Sequence, residues 1–209
     1  MRIDSLKTTP DRAGRYWVTF EDGTRLGLYR QTVEDFGLYT GKELSEEEMS
    51  GLGTAASVMS AKMRAVRIVS AASVSKRDLE ERLVRKGEDP RQAKEAVQWM
   101  EELKLVDDRN TAEQIVHSCI SKGYGLARAK QALYEKRIPK EYWGEALTGY
   151  PDQLDRIEQF LRSRLDADSD ERQKKKAIDA LIRRGHSYGS IRQALNHLSF
   201  DAEDYIEDF

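Results

Sequence analysis

The sequence predicts a mainly α-helical chain: tandem three-helix repeats, three modules in all, preceded by a small β-hairpin segment. Three observations predict it. The first is a repeated phrase. Leu79-x-x-x-Leu83-x-x-Lys86-Gly87 returns as Ala129-x-x-x-Leu133-x-x-Lys136-Arg137 and again as Ala177-x-x-x-Leu181-x-x-Arg184-Gly185. Its anchor leucines, Leu83, Leu133 and Leu181, stand 50 and 48 residues apart, and a period of this size marks a repeat architecture. The second is an apolar pair one helical turn apart at the same gap after each phrase: Ala93/Val97, Trp143/Leu147 and Ile191/Leu195. The third is Asp22-Gly23 between two alternating runs, the strongest short-range hairpin signal.

The segment 1–53 comes first. Residues 2–7 read as a short strand. Residues 15–20 put Tyr16, Val18 and Phe20 on one face and Trp17 and Thr19 on the other, and 25–30 put Leu26 and Leu28 on one face. Two or three strands alone are marginal, so they must pack on something helical. Residues 31–36 read as a short helix. Ser45-x-x-Glu48 is a capping box, in which the serine accepts from an amide and the glutamate reaches back. After Gly51-Leu52-Gly53 a small-residue helix is expected over about 54–73.

Repeat one spans 54–108. Its second helix starts at the cap Ser75 and ends at Gly87; its third starts at Asp89-Pro90 and buries Ala93, Val97, Met100 and Leu103. Repeat two spans 109–150. Its second helix ends at Arg137, where a non-glycine residue either avoids a left-handed backbone or ends the helix differently. Its third helix starts at Ile138-Pro139. Repeat three spans 151–200 and contains the polar run 166–176, whose charged part 166–171 precedes its second helix; Ser187 caps its last helix. The segment 201–209 is an acidic tail.

Charged residues make up 34% of the chain and mean hydropathy is −0.73, as small modules with little interior require. The net charge of −2 hides a distribution: −3 over 1–60, +4 over 61–150, +2 over 151–200 and −5 in the tail. The repeats are mildly basic, too weakly so for a strong DNA footprint on charge alone. Cys119 is the one cysteine, so no intramolecular disulfide forms. It reads as a small core thiol, and with His117 two residues away on another helix face no metal site is expected. No apolar run reaches membrane-spanning length and the N-terminus lacks a signal-peptide core, so a soluble cytoplasmic chain with no cofactor and no membrane contact is expected, a monomer. No phosphate-binding G-x-x-x-x-G-K-[ST] loop, no H-E-x-x-H helix and no G-x-S-x-G string is expected, and so the chain is expected not to be an enzyme.

Candidate binding residues are basic. Lys122, Tyr124, Arg128 and Lys130 make the most basic turn with an aromatic, suited to phosphate and a base face. Lys174, Lys175 and Lys176 would steer an anionic partner. Arg64 and Arg67 share a helix face, and Arg183 with Arg192 would act across a turn. Each set also fits an ordinary solvated face. His186 is placed as a helix-end residue, Trp143 as core and Trp99 as half-exposed.

Three phrases in register, the junction Leu103-x-x-Val106-Asp107-Asp108-x-x-x-Ala112 and Arg184-Gly185-His186-Ser187-x-x-x-Ile191-x-x-Ala194-Leu195 resemble the RecX proteins over about residues 61–200. That resemblance implies a regulator that binds the RecA–single-stranded DNA filament along its groove, modulates and most simply inhibits its ATPase and strand exchange, and so acts in recombination and DNA repair. The alternatives are a helix-turn-helix regulator of duplex DNA and a purely protein-binding helical adaptor. The acidic polar face of 90–103 argues against the first; an unchanged recombinase ATPase would favour the second. The N-terminal segment is expected to orient the array or touch a protein rather than DNA.

Overall fold

The computed structural model describes residues 1–166 and 169–198 of the 209-residue chain; the expected acidic tail lies outside the described residues. The chain divides into two compact units after Val106.

In the first unit, β1 (Ile3–Leu6), β2 (Arg15–Phe20) and β3 (Arg25–Tyr29) form an antiparallel sheet in that order. The register sets Phe20 opposite Ile3, Val18 opposite Leu26 and Tyr16 opposite Leu28. Ile3, Val18, Phe20 and Leu28 are therefore buried on one face. Trp17 lies on the other face, half-buried, with the guanidinium groups of Arg15 and Arg25 at 5.1 and 5.3 Å from its ring centre. A short helix, α1 (Arg30–Asp35), leads to α2 (Glu46–Ala71). The Ser45 hydroxyl accepts from the Glu48 amide at 3.1 Å, and the Glu48 carboxylate accepts from the Ser45 amide at 2.8 Å. This reciprocal box starts α2 at Glu46, and the helix then passes unbroken through Gly51 and Gly53 rather than beginning near Thr54. Its first half packs Leu52 and Ala56 against the sheet; its second half packs Ala61 and Ala65 into the next core.

That core is completed by α3 (Lys76–Arg85) and α4 (Pro90–Glu102), capped by Ser75 and Asp89 as expected. Leu79, Leu83, Ala93, Ala96, Val97 and Met100 fill it. Leu103 does not join them: α4 stops at Glu102, the chain turns through Lys104 at φ 56°, and Leu103 is left 49% exposed.

The second unit holds α5 (Asp108–Ser121), α6 (Leu126–Glu135), a 3₁₀ turn (Lys140–Tyr142), the one-turn α7 (Trp143–Ala146), α8 (Leu154–Arg162), α9 (Glu171–Arg183) and α10 (Tyr188–His197). Asp107 caps α5, accepting from the Arg109 and Asn110 amides. Repeat two has only a vestigial third helix. Pro139 precedes it with no capping side chain, Gly144 sits inside it, and Trp143 and Leu147 are half-buried rather than core. Repeat three is the fuller module, with Ile157, Leu161, Ala177, Leu181, Ile191 and Leu195 buried together.

The repeated phrase is one piece of stereochemistry used three times. Leu83, Leu133 and Leu181 each lie two residues before their helix ends and are 0, 0 and 1% exposed. Their carbonyls accept from the amides of Glu88, Ile138 and His186 at 3.1, 3.1 and 3.2 Å. The residues before those amides, Gly87, Arg137 and Gly185, have φ of 90, 58 and 85°. This is the six-to-one bond of a Schellman motif, which satisfies a carbonyl the helix leaves orphaned. Arg137 neither avoids the left-handed conformation nor changes the ending; it adopts the glycine geometry against its own Cβ.

Candidate functional site

In the first unit, α2 and α3 place cations one helical turn apart. Arg64 and Arg67 share a face of α2; Arg82, Arg85 and Lys86 share a face of α3 and its C-cap. With Arg15 of β2 they line a groove of about 690 Å³ floored by Ala13, Ala71, Ala72 and Ile68. Three of the six cations are tied down. Arg15 donates twice to Asp11 at 2.9 and 3.0 Å, Arg64 pairs with buried Glu88 at 2.5 Å, and Arg82 donates from Nε to Asp78 at 2.9 Å. The Asp11 carboxyl is lowered to about 2, first by the Arg15 amide and then by its guanidinium, so that this pair stays ionised. Among the described residues, Arg67 meets only the Tyr29 hydroxyl, at 3.2 Å, and Arg85 and Lys86 have no ion-pair partner. Of these six, only Arg64 and Arg67 were candidates from the sequence. The i, i+3, i+4 spacing of Arg82, Arg85 and Lys86 was the signal for the rest of the helical face.

In the second unit, Lys122 and Lys130 are exposed, with no partner among the described residues, and Tyr124 is half-buried. Arg128 is engaged: it pairs with Glu135 at 3.1 Å, and its backbone lies against Gly185. Lys174 pairs with Glu171 at 3.1 Å, whereas Lys175 and Lys176 are exposed in the first turns of α9, with no partner among the described residues. Arg183 is exposed at the far end of α9, roughly 10 Å along the axis from the lysines, and Arg192 is exposed on α10. The lysine triplet and Arg183 are therefore not one patch. Cys119 is buried, and that burial raises its thiol pKa.

Repeats two and three meet through bare backbone. The Gly125 amide donates to the Arg184 carbonyl at 2.9 Å and the Ala127 amide donates to the Gly185 carbonyl at 3.2 Å. The orphan N–H groups opening α6 are thus satisfied by orphan carbonyls ending α9, positive helix end on negative. That is why Gly125 caps α6 without a side chain. A Cβ on Gly125 would lie 2.0 Å from the Gly185 oxygen, and one on Gly185 would lie 2.2 Å from the Arg128 nitrogen. His186 completes the junction: its Nε2 bonds the Gly123 carbonyl at 3.1 Å, while the Tyr150 hydroxyl donates to the Tyr124 carbonyl at 2.6 Å. Burial lowers the pKa of His186 and pushes that of Tyr150 up to about 12.

Beside this junction a cleft of about 450 Å³ gathers Asp152, His186, Ser187 and Lys130. Gly185-His186-Ser187-Tyr188-Gly189 does fit G-x-S-x-G, contrary to the expectation that no such string occurs. It is not a nucleophile elbow, which needs a strand leading into a helix. Ser187 follows helix α9 and caps α10, accepting from the Ser190 amide at 3.1 Å, and His186 is bonded to Gly123 rather than to Ser187.

The family described as RecX, second three-helix domain, matches residues 107–147. The chain is similar to the regulatory protein RecX of Clostridioides difficile, with 28% identity over 97% of both chains. It is 32% identical to the regulatory protein RecX of Chlorobaculum tepidum over 63% of this chain and 83% of the relative. A crystal structure of regulatory protein RecX shares the fold, with a TM-score of 0.62 at 20% identity over 93% of this chain and 98% of that one. Helical modules that follow a small sheet in sequence, the leucine-anchored endings and these likenesses together establish that the chain belongs to the RecX family of regulatory proteins.

Proposed function

We propose that this chain binds the RecA–single-stranded DNA filament along its groove and restrains ATP hydrolysis and strand exchange, without a catalytic step of its own, as a cytoplasmic monomer. The observation that carries the reading is the likeness to a regulatory RecX protein over 97% of both chains. Repetition supports it as well, because three modules with the same helix ending suit a partner that is itself a repeat. Exposed Lys122, Lys130, Lys175, Lys176, Arg183 and Arg192 are the contact candidates in the second unit. Arg128 and Lys174 serve internal pairs in addition, and Tyr124 lends its carbonyl to Tyr150.

The test is the single-stranded-DNA-dependent ATPase of the cognate recombinase, titrated with this protein. A saturable fall in turnover is expected. Lys122→Glu with Lys130→Glu should shift the titration to higher concentration while leaving the helical circular dichroism intact; Arg128 is left alone because its backbone packs against Gly185. Unchanged turnover at saturating protein overturns the reading and favours a protein-binding adaptor.

A further inference from the structure

We propose that the arginine-lined groove of the first unit is a binding site for the phosphodiester backbone of single-stranded nucleic acid, read without regard to base. The proposal rests on the filament reading for its occupant, and it moves direct DNA contact onto a unit whose N-terminal segment is acidic overall.

The convergence of elements carries it. Arg15 comes from the sheet, Arg64 and Arg67 from α2, and Arg82, Arg85 and Lys86 from the end of α3, yet all six line one groove with no carboxylate among its lining residues. Cations in the last turn of a helix complement its dipole. That explains Arg82 and Arg85 singly, but not their meeting with Arg15, Arg64 and Arg67 from two other elements. The paired members are held by carboxylates outside the lining: Glu88 is 8% exposed and fixes Arg64, and Asp11 and Asp78 fix Arg15 and Arg82. Arg67, Arg85 and Lys86 then line the groove with no carboxylate partner among the described residues.

The same lining selects the ligand. Five of the six cations are arginines, whose planar fork matches phosphate oxygens. A protein partner would need apolar pockets for its anchors, and here the apolar members are three alanines and Ile68. Base readout would need amide side chains or an aromatic face, and neither lines the groove. What remains is a polyanion that brings charge at regular spacing.

The experiment uses the full chain without recombinase. A fluorescein-labelled oligothymidylate is titrated and followed by anisotropy at several salt concentrations. Arg85→Gln with Lys86→Gln is expected to weaken binding about tenfold and to reduce the salt slope by about 1.4, as loss of two phosphate contacts requires. Arg91→Gln with Lys94→Gln, exposed on α4 and outside the groove lining, should stay within about twofold at the same charge change. Circular dichroism confirms that both variants fold. Equal weakening by the two variants overturns the proposal, as does displacement of the oligonucleotide by polyglutamate at equal charge. Failure of the filament reading shows separately, as unchanged recombinase ATPase, because this measurement contains no recombinase.

Discussion

The two units join their parts by opposite means. In the first, one helix belongs to two cores: α2 gives Leu52 and Ala56 to the sheet and Ala61 and Ala65 to the helices behind it. The link is side-chain burial along a continuous rod. In the second, the link between modules is backbone on backbone, with helix end meeting helix end across Gly125 and Gly185. A side-chain joint tolerates volume changes in proportion to their size. A backbone joint tolerates none, because the atom it excludes is the Cβ itself.

The largest expected effect follows from that difference. Gly125 has φ −76°, a conformation open to any residue, so Gly125→Ala tests crowding alone. It should cost roughly 3 kcal/mol or more, from overpacking and two displaced hydrogen bonds. Gly87→Ala is the control in the first unit: φ is 90° but nothing lies within 4 Å of the added carbon. It should cost about 1 kcal/mol. Urea unfolding of both variants measures the contrast, and equal losses would mean that the glycine junction is not the joint.

Next come the anchor leucines. Leu83→Ala, Leu133→Ala and Leu181→Ala should each destabilise by about 2–5 kcal/mol. If the three endings are one motif, each loss should appear as faster amide exchange in its own module first, as local opening energies allow. A surface-sized effect of under about 0.5 kcal/mol at any one would break the equivalence.

How much of this was legible depends on what carries the signal. Leu83, Leu133 and Leu181 were readable because apolar period and helix-ending residues coincide. Ser75, Asp89, Ser187 and the Ser45–Glu48 box were readable because capping is local chemistry. Asp170 and Gln173 form a second capping box inside the polar run 166–176, so that α9 begins at Glu171, within a run whose charge hides the capping signal. Leu103 was misplaced because a stripe extrapolated by periodicity cannot see that Lys104 turns the chain. The Gly125–Gly185 joint left no pattern, since main-chain atoms are the same in every residue. The groove was half legible, its α2 and α3 rows being periodic; that Arg15 joins them is a tertiary fact.

A smaller effect compares the three endings themselves. Arg137 holds φ 58° where its counterparts are glycines. Arg137→Gly should stabilise repeat two by about 1 kcal/mol, since glycine enters that region without steric strain. The matching change in thermal midpoint is a rise of a few degrees. No rise would mean that another contact of Arg137 offsets the strain.

The smallest effect is a pH dependence confined to the second unit. The residue after each left-handed turn is Glu88, Ile138 or His186, and all three are buried. Burial, working against the Gly123 hydrogen bond, lowers the pKa of His186 below its ordinary 6.5. An unfolded chain then binds a proton near pH 6.5 that the folded chain refuses until lower pH, so the unfolded state gains as pH falls. Stability from this residue is therefore full above about pH 7 and declines as pH drops through 6.5 towards the lowered folded value. Replacing His186 with the residue at the same place in repeat two, His186→Ile, should remove this part of the slope between pH 7 and 5.5 while leaving the slopes of carboxylates at lower pH. Urea midpoints at half-unit pH steps read it directly. An unchanged slope in the variant would show that protonation of His186 is not coupled to the joint between the two modules.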